Sequence, residues 1–133
     1  MLIGCRQQVD GPVSQRFRDG TLRSEGHFEN GTPDGPFVFY YPNGQKKYEG
    51  TFTNGNPEGP WIYWYENGQK QKEHSYSGGQ FCGPALEWYE NGSPKVEEEY
   101  LAGQLHGRRR EWNAQGILIS EEQYRHGVLD GPV

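Results

Sequence analysis

The chain has 133 residues, a formal net charge of −5 at neutral pH, 32% hydrophobic residues and 14% aromatic residues. This length suits a single domain, and the negative charge excludes a general electrostatic attraction to nucleic acid or to an anionic membrane. A mean hydropathy of −1.03 would favour disorder if the aromatic residues were scattered. They recur at regular intervals instead, which predicts an ordered protein with a thin core.

Residues 1–9 form an N-terminal segment outside the repeats described below. Its Leu2-Ile3-Gly4-Cys5 has the residue types of a bacterial lipoprotein processing site. Such a site requires a basic start and an apolar stretch ahead of it, and only Met1 precedes Leu2. Two alternatives stay open: a soluble cytoplasmic protein in which the match is a coincidence, or a cell-envelope protein that starts further upstream and carries a lipid anchor at Cys5.

From Asp10 onwards the sequence repeats every 24 residues without an insertion. The copies cover 10–33, 34–57, 58–81, 82–105 and 106–129, and a sixth starts at 130–133. Glycines keep this register, which indicates positions that need a positive φ or a close backbone approach rather than a flexible linker. The structural turn glycines predicted in this way are Gly35, Gly44, Gly55, Gly59, Gly68, Gly79, Gly83, Gly92, Gly103 and Gly107.

Each copy has the pattern of a β-hairpin. In the second copy, residues 35–41 are rich in aromatic and β-branched residues, and Pro42-Asn43-Gly44 closes them with a turn for which Asn-Gly predicts type I′ geometry. A second strand, residues 45–52, ends at Asn54-Gly55. The predicted fold is all-β, with almost no helix: an antiparallel meander of tandem 24-residue hairpin repeats forming an elongated, twisted single-layer sheet. At about 4.8 Å per strand, five copies would span about 48 Å.

Alternation along the first strand of each copy assigns two faces. One face carries an aliphatic and an aromatic row, and we predict that it is the packed face: Val38, Ile62, Leu86, Tyr40, Trp64, Trp88 and Trp112. The other face changes from aromatic to polar along the array. It is predicted to be a solvent side or a local partner-binding surface, with the candidate residues Phe37, Tyr41, Trp61 and Tyr65.

Glutamate recurs at one second-strand position of every copy, at Glu25, Glu49, Glu73, Glu97 and Glu121. It lies three residues before a Phe or Tyr, and therefore on the opposite face of a regular strand. Two roles fit this column: a structural one, in pairing with Lys, Arg or a turn amide, and an acidic stripe that binds a basic partner. For the second role the candidate residues are Glu49, Glu73 and Glu97.

The recurring order of an aromatic residue, Tyr-x-Asn-Gly, Glu, x-x-Phe/Tyr and Gly-x-x-x-Gly-Pro resembles the MORN repeat variant of many bacterial proteins. The match runs from about Asp10 to the C terminus and is best preserved in residues 40–60 and 64–84. The resemblance implies a scaffold or binding module. Proteins similar to this one are often described as antitoxin components of toxin–antitoxin systems, which implies a protein partner, such as a toxin, that the array neutralises.

No catalytic residue, cofactor or metal is predicted. The four histidines occupy different columns or distant copies, and the chain has neither a His-x-x-x-His pair nor a Cys-x-x-Cys pair. Without a polybasic patch or an amphipathic basic helix, direct membrane binding by the repeats is not expected either. The predicted function is therefore a non-catalytic repeat scaffold mediating protein–protein interaction, antitoxin-like neutralisation included. The alternative is a lipid-anchored envelope lipoprotein that presents the same sheet as a binding surface.

Overall fold

A computed structural model describes residues 10–132, and these residues form one open antiparallel sheet of 14 strands without a helix. The strands are β1 (Gly11–Arg16), β2 (Leu22–Glu29), β3 (Thr32–Pro33), β4 (Gly35–Tyr40), β5 (Lys46–Thr53), β6 (Asn56–Trp64), β7 (Lys70–Ser77), β8 (Gln80–Phe81), β9 (Gly83–Trp88), β10 (Pro94–Leu101), β11 (Gln104–Leu105), β12 (Gly107–Trp112), β13 (Leu118–Arg125) and β14 (Val128–Pro132). The predicted all-β meander is confirmed. Within 10–132 no helix is long and apolar enough to cross a membrane.

Neighbours in the sheet follow chain order. The main path runs β1-β2-β4-β5-β6-β7-β9-β10-β12-β13-β14, and the two-residue strands β3, β8 and β11 pair with β2, β7 and β10. Glu49 lies opposite Val38 of its own copy and Ile62 of the next, and Glu73 lies opposite Ile62 and Leu86 in the same way. Because every copy keeps this register, equivalent residues line up in rows across the sheet, with successive members of a row about 10 Å apart.

The turn inside each copy is a three-residue loop. In the second copy Gly44 N donates to Tyr41 O at 2.9 Å, Tyr41 N donates to Gln45 O at 2.8 Å, and only Gly44 of the loop has a positive φ, 90°. This is a type I turn followed by a left-handed glycine. The type I′ prediction for Asn43-Gly44 is wrong, because the loop has a third residue ahead of this pair and Asn43 Oδ1 accepts a hydrogen bond from Gln45 N at 2.9 Å. The same geometry forms at Asn67-Gly68, where Glu66 stands in place of Pro42.

The turns between copies, by contrast, have positive φ at two successive residues, as type I′ requires. At Asn54 and Gly55 the values are 51° and 84°, and at Ala102 and Gly103 they are 50° and 82°. The same pairing recurs at Asn30-Gly31, Gly78-Gly79 and His126-Gly127. All ten predicted turn glycines have a positive φ: Gly35, Gly44, Gly55, Gly59, Gly68, Gly79, Gly83, Gly92, Gly103 and Gly107.

Ala102 is the residue least suited to its backbone conformation. An alanine at φ 50° places its Cβ close to the following carbonyl, whereas the asparagine that stands at Asn30 and Asn54 tolerates this conformation. We expect Ala102→Asn to raise the free energy of unfolding by about 0.5–1 kcal/mol in urea titrations. Ala114→Asn is the control, because the φ of Ala114 is not positive. An equal gain in both variants would contradict the explanation.

The buried core lies on the face predicted to be open. Phe37, Trp61 and Val96 are the buried hydrophobic residues, with 8%, 6% and 7% of their surface exposed. The packed-face prediction is therefore wrong. The reason is two mid-strand glycines: a Cβ at Gly26 would lie 2.1 Å from the ring of Phe37, and a Cβ at Gly50 would lie 2.1 Å from the ring of Trp61. Each ring lies flat over the backbone of a neighbouring strand. We call this side the core face.

Large and small residues complement each other along the core face. The aromatic rings continue through edge contacts, with Phe52 centred 5.2 Å from Phe37 and 5.1 Å from Trp61. Residues that face each other on neighbouring strands of successive copies change together. The pair is a glycine with a large ring in the first two cases, then histidine with alanine, and finally an ion pair: Gly26 with Phe37, Gly50 with Trp61, His74 with Ala85, and Glu98 with Arg109. In three of these pairs a small residue lies beside an aromatic ring, and in the fourth the two side chains form an ion pair.

Candidate functional site

The predicted partner-binding residues are divided between two structural roles. Phe37 and Trp61 belong to the core and are not open to a partner. Tyr41 and Tyr65 are half-buried, and each donates its hydroxyl proton to the main-chain carbonyl of a tryptophan in the next copy, Trp64 or Trp88, at 2.7 Å. Burial raises the pKa of Tyr41, so that this hydroxyl keeps its proton. These tyrosines connect successive copies.

The other side of the sheet, which we call the glutamate face, is open, because the single-layer sheet has no second layer over either face within residues 10–132. It carries the glutamate column together with an aromatic and an aliphatic row, all half-buried where the sheet is regular: Tyr40, Trp64, Trp88, Trp112, Val38, Ile62 and Leu86. Tryptophan and tyrosine combine large apolar area with a polar edge, and they are enriched in protein interfaces. This face is the best candidate for a functional surface.

Lysines organise the central part of the glutamate face. Lys46 Nζ lies 2.9 Å from Glu49 Oε2 and 5.7 Å from the ring centroid of Trp64. In the next copy, Lys70 Nζ lies 3.0 Å from Glu73 and 5.8 Å from the centroid of Trp88. Each ammonium therefore bridges a carboxylate and an indole ring. Because these side chains are partly exposed, each contact contributes about 1 kcal/mol or less.

The first and last glutamates are satisfied by other donors. Glu25 accepts a hydrogen bond from the hydroxyl of Tyr40 at 2.9 Å, and the pKa of Tyr40 is raised by burial and, to a smaller extent, by this carboxylate. Glu121 is paired with Arg110. Four of the five glutamates thus have a defined partner, which supports the structural role predicted for the column.

Glu97 is different. Pro94 stands where Lys46 and Lys70 stand in the preceding copies, and no cation of residues 10–132 lies within 4.0 Å of Glu97. The ring of Trp112, which is the next aromatic in the row, has no lysine over it either. Beside them runs an open groove of about 560 Å³, whose lining includes Pro84, Leu86, Glu97, Glu99, Arg108 and Arg110.

Charge on the core face is concentrated around Arg109. Its guanidinium lies 2.9 Å from Glu98, 3.0 Å from Glu111 and 3.6 Å from Glu122. Burial disfavours the charged form, but hydrogen bonds to Glu98 and Glu111 outweigh that effect and raise the pKa of Arg109. One arginine therefore neutralises much of a carboxylate cluster, which is a structural arrangement rather than an open anion site.

His74 lies on the core face with 8% of its surface exposed, and its Nε2 has no hydrogen-bond partner. The Nε1 of Trp61, which stands opposite it across the hairpin, has none either. The pKa of His74 is lowered, first by burial and then by the neighbouring Lys72 ammonium. The imidazole is therefore neutral at neutral pH, and charging it would place an unpaired cation in the core.

This burial predicts a loss of stability on acidification. The pKa of the unfolded histidine is about 6.5, and the folded value is lower, so the unfolded chain binds the proton first as the pH falls. Stability is fully present above about pH 6.5 and decreases from there down to the folded pKa, by at most about 1.4 kcal/mol per pH unit. Urea titrations at pH 7.5, 6.5 and 5.5 measure this, with His74→Gln as the control. A slope unchanged in the variant would refute it.

The part of the chain that the structure describes contains a free thiol and no cluster of metal ligands. Residues 10–132 contain no group of three or more His, Cys, Asp or Glu side chains placed to hold a metal ion. Cys82 is a half-buried free thiol. The predicted lipidation site, Cys5, lies outside the described residues.

Comparison with known proteins finds a family match for the central copies of the repeat. Residues 33–54, 57–77 and 81–102 match the model of the MORN repeat variant family. These segments are the second to fourth copies of the array, where the lysine bridges and the tyrosine hydrogen bonds between copies occur. MORN repeats are generally non-enzymatic repeat modules for protein or membrane interaction. No curated protein shows significant similarity to the chain.

Proposed function

We propose that this chain, whose central copies are MORN repeat variants, is a non-catalytic scaffold that binds a partner protein through its glutamate face. The observation that carries the proposal is the uncovered aromatic row of that face, with Trp64 and Trp88 flanked by charged pairs. Contiguous apolar surface rimmed by charge is typical of protein interaction sites. The proposal assigns no role to nucleic acid or to direct lipid contact.

The two faces differ in what they offer a partner. At the aromatic end of the core face the rings pack on one another, and at its polar end Arg109 joins the carboxylates. The glutamate face presents Trp and Tyr edges beside five carboxylates. Since four of these carboxylates already have a partner within the chain, the complementary partner surface carries apolar side chains that rest between the aromatic rows and a cation for Glu97.

Site-specific photo-cross-linking in cells tests the proposal. A photoreactive amino acid at Ser75, on the glutamate face, is expected to capture a discrete protein, and one at Glu66, in the turn within the third copy, is expected to capture none. Charge reversal at Glu73 and Glu97 together should abolish the cross-link from Ser75. Reversal at Glu29 and Glu66, which lie at strand and turn ends, is the matched control. If the cross-link survives reversal of Glu73 and Glu97, the glutamate face is not the binding surface.

We propose neutralisation of a toxic protein as the specific form of this interaction, on the basis of the resemblance to antitoxin components. Co-expression of this chain is expected to relieve the growth arrest caused by the product of a neighbouring gene. The variant with reversed Glu73 and Glu97 should fail to relieve it although it accumulates to the same level. Continued arrest in the presence of the wild-type chain would reject the antitoxin form and leave the scaffold proposal standing.

The location of the activity depends on Leu2-Ile3-Gly4-Cys5, and we propose the cytosol with a lipid-anchored envelope form as the alternative. The experiment is fractionation of the product of the native locus, including its upstream DNA, with Cys5→Ala as the control. Membrane recovery that disappears in the variant would establish the lipid anchor. Cytosolic recovery of both proteins would reject it.

A further inference from the structure

One structural unit occurs four times on the glutamate face: a glutamate and, 15 residues later, an aromatic residue of the next copy. The four units are Glu25 with Tyr40, Glu49 with Trp64, Glu73 with Trp88, and Glu97 with Trp112. They share one register, because each glutamate lies opposite the residue two positions before its aromatic partner. The backbone therefore places the carboxylate and the ring in the same relation each time.

Three of the units are completed from within the chain. The hydroxyl of Tyr40 bonds Glu25 directly, while Lys46 and Lys70 each place an ammonium between the carboxylate and the indole ring of the second and third units. The fourth unit has Pro94 at the lysine position. Proline carries neither the charge nor the length to reach Glu97, so this unit keeps the acceptor groups of a lysine site without the lysine.

We propose that the Glu97–Trp112 unit binds a lysine side chain of the partner protein. This inference rests on the proposed function and specifies its chemistry: the partner inserts an ammonium where Lys46 and Lys70 place theirs in the preceding copies. A carboxylate on one side and an indole face on the other provide a charge-assisted hydrogen bond and a cation–π contact. The adjoining groove, with Pro84 and Leu86 in its lining, receives the apolar part of the same segment.

The charges around the unit are compatible with a cation. Arg110 lies directly opposite Glu97 in the sheet, but its guanidinium is paired with Glu121. This leaves Glu97, Glu99 and Arg108 as the groove-lining charges of the glutamate face without an ion pair within 4.0 Å in residues 10–132. Their sum is −1. A flexible ammonium with three donors suits this site better than a planar guanidinium, since both internal examples are lysines.

The binding step is tested directly with Nα-acetyl-lysine amide as the probe. Of the four tryptophan indole N–H signals in an NMR titration, that of Trp112 is expected to shift, while those of Trp64 and Trp88 stay in place because Lys46 and Lys70 occupy their rings. Nα-acetyl-norleucine amide, which lacks the charge, is the matched control and should shift none. Equal shifts at all tryptophans, or no shift at Trp112 at millimolar probe, would overturn the proposal.

Two variants separate this site from the wider surface. Pro94→Lys supplies the missing lysine from within the chain and should abolish the Trp112 shift; Glu97→Gln should weaken probe binding at least about threefold by removing the charge. Retention of the shift in Pro94→Lys overturns the inference. Pro94→Lys should also lower the affinity of the chain for the partner protein identified by cross-linking. If Pro94→Lys leaves that affinity unchanged while charge reversal at Glu73 and Glu97 abolishes binding, the lysine site is rejected and the scaffold proposal stands.

Discussion

Gly50→Ala is expected to lower the free energy of unfolding by about 2–3 kcal/mol, because the added methyl group would meet the ring of Trp61. A Cβ at Gly50 would lie 2.1 Å from that ring, far inside van der Waals contact. The residue needs space rather than an unusual backbone, since its φ is not positive. Relief therefore requires Trp61 to leave its place over the strand, which would open the core at its most buried residue.

A double-mutant cycle in urea separates this clash from other costs of the substitution. In a Trp61→Ala background the extra methyl group meets no ring, so Gly50→Ala should then cost less than about 0.5 kcal/mol. Gly59→Ala provides a second reference, because φ there is +73° and nothing lies within 4 Å of its Cβ position; its cost is backbone strain of about 1–2 kcal/mol. If Gly50→Ala costs the same with and without Trp61, the close approach is not the cause.

Arg109→Leu is expected to destabilise the fourth and fifth copies by about 2–3 kcal/mol at neutral pH and low salt. The substitution removes the cation that lies within 4 Å of Glu98, Glu111 and Glu122, and it leaves these carboxylates to repel one another. Only 22% of the Arg109 side chain is exposed, so solvent screening is limited, although the cost stays below the 3–5 kcal/mol typical of a fully buried pair.

The matched control for this prediction is the neighbouring Arg108→Leu, because Arg108 points to the other face and has no ion pair within 4.0 Å in residues 10–132. Its effect should stay within about 0.5 kcal/mol. A further variant that combines Arg109→Leu with Glu98→Leu should recover most of the loss, since it removes the main uncompensated charge together with its partner. Thermal and urea unfolding at 50 mM and 1 M salt measure these differences. Equal losses for Arg108 and Arg109 would contradict the ion-pair explanation.

The repeat and its hairpins could be predicted from the sequence because they depend on local rules. Spacing and alternation alone give the 24-residue period and the strand and turn residues. They also place each glutamate on the opposite face of its strand from the Phe or Tyr three residues later. Which face becomes the core does not follow from them. Both faces carry aromatic rows, and the core face is determined by Gly26 and Gly50, which are not among the predicted turn glycines and leave room for a ring over the backbone. A mid-strand glycine beside a large aromatic column was the signal available in the sequence.

The turn types also could not be predicted from the local Asn-Gly signal alone. Asn-Gly occurs both at Asn43-Gly44 and at Asn54-Gly55, and only the second has positive φ at both residues. A preceding proline is not the reason, because Asn67-Gly68 follows Glu66 and forms the same turn as Asn43-Gly44; the two kinds of turn differ in loop length, three residues within a copy and two between copies. The candidate site could not be predicted without the strand register either. The replacement of lysine by Pro94 is visible in the sequence, but only the register shows that Glu97 and Trp112 are placed as Glu49 and Trp64 are.

The contacts between copies also determine how such a chain can change in length. Tyr41, Tyr65 and Tyr89 each donate to a carbonyl 23 residues ahead, and Asn43, Asn67 and Asn91 do the same across the adjoining turns. Each of these bonds joins one copy to the next and none reaches further. Duplication of an internal 24-residue unit would therefore reproduce both its forward and its backward bonds, and the sheet would lengthen by two strands without new compensating substitutions. Growth by whole units lets such an array extend its binding face while single substitutions, such as the one at Pro94, make one unit differ from its neighbours.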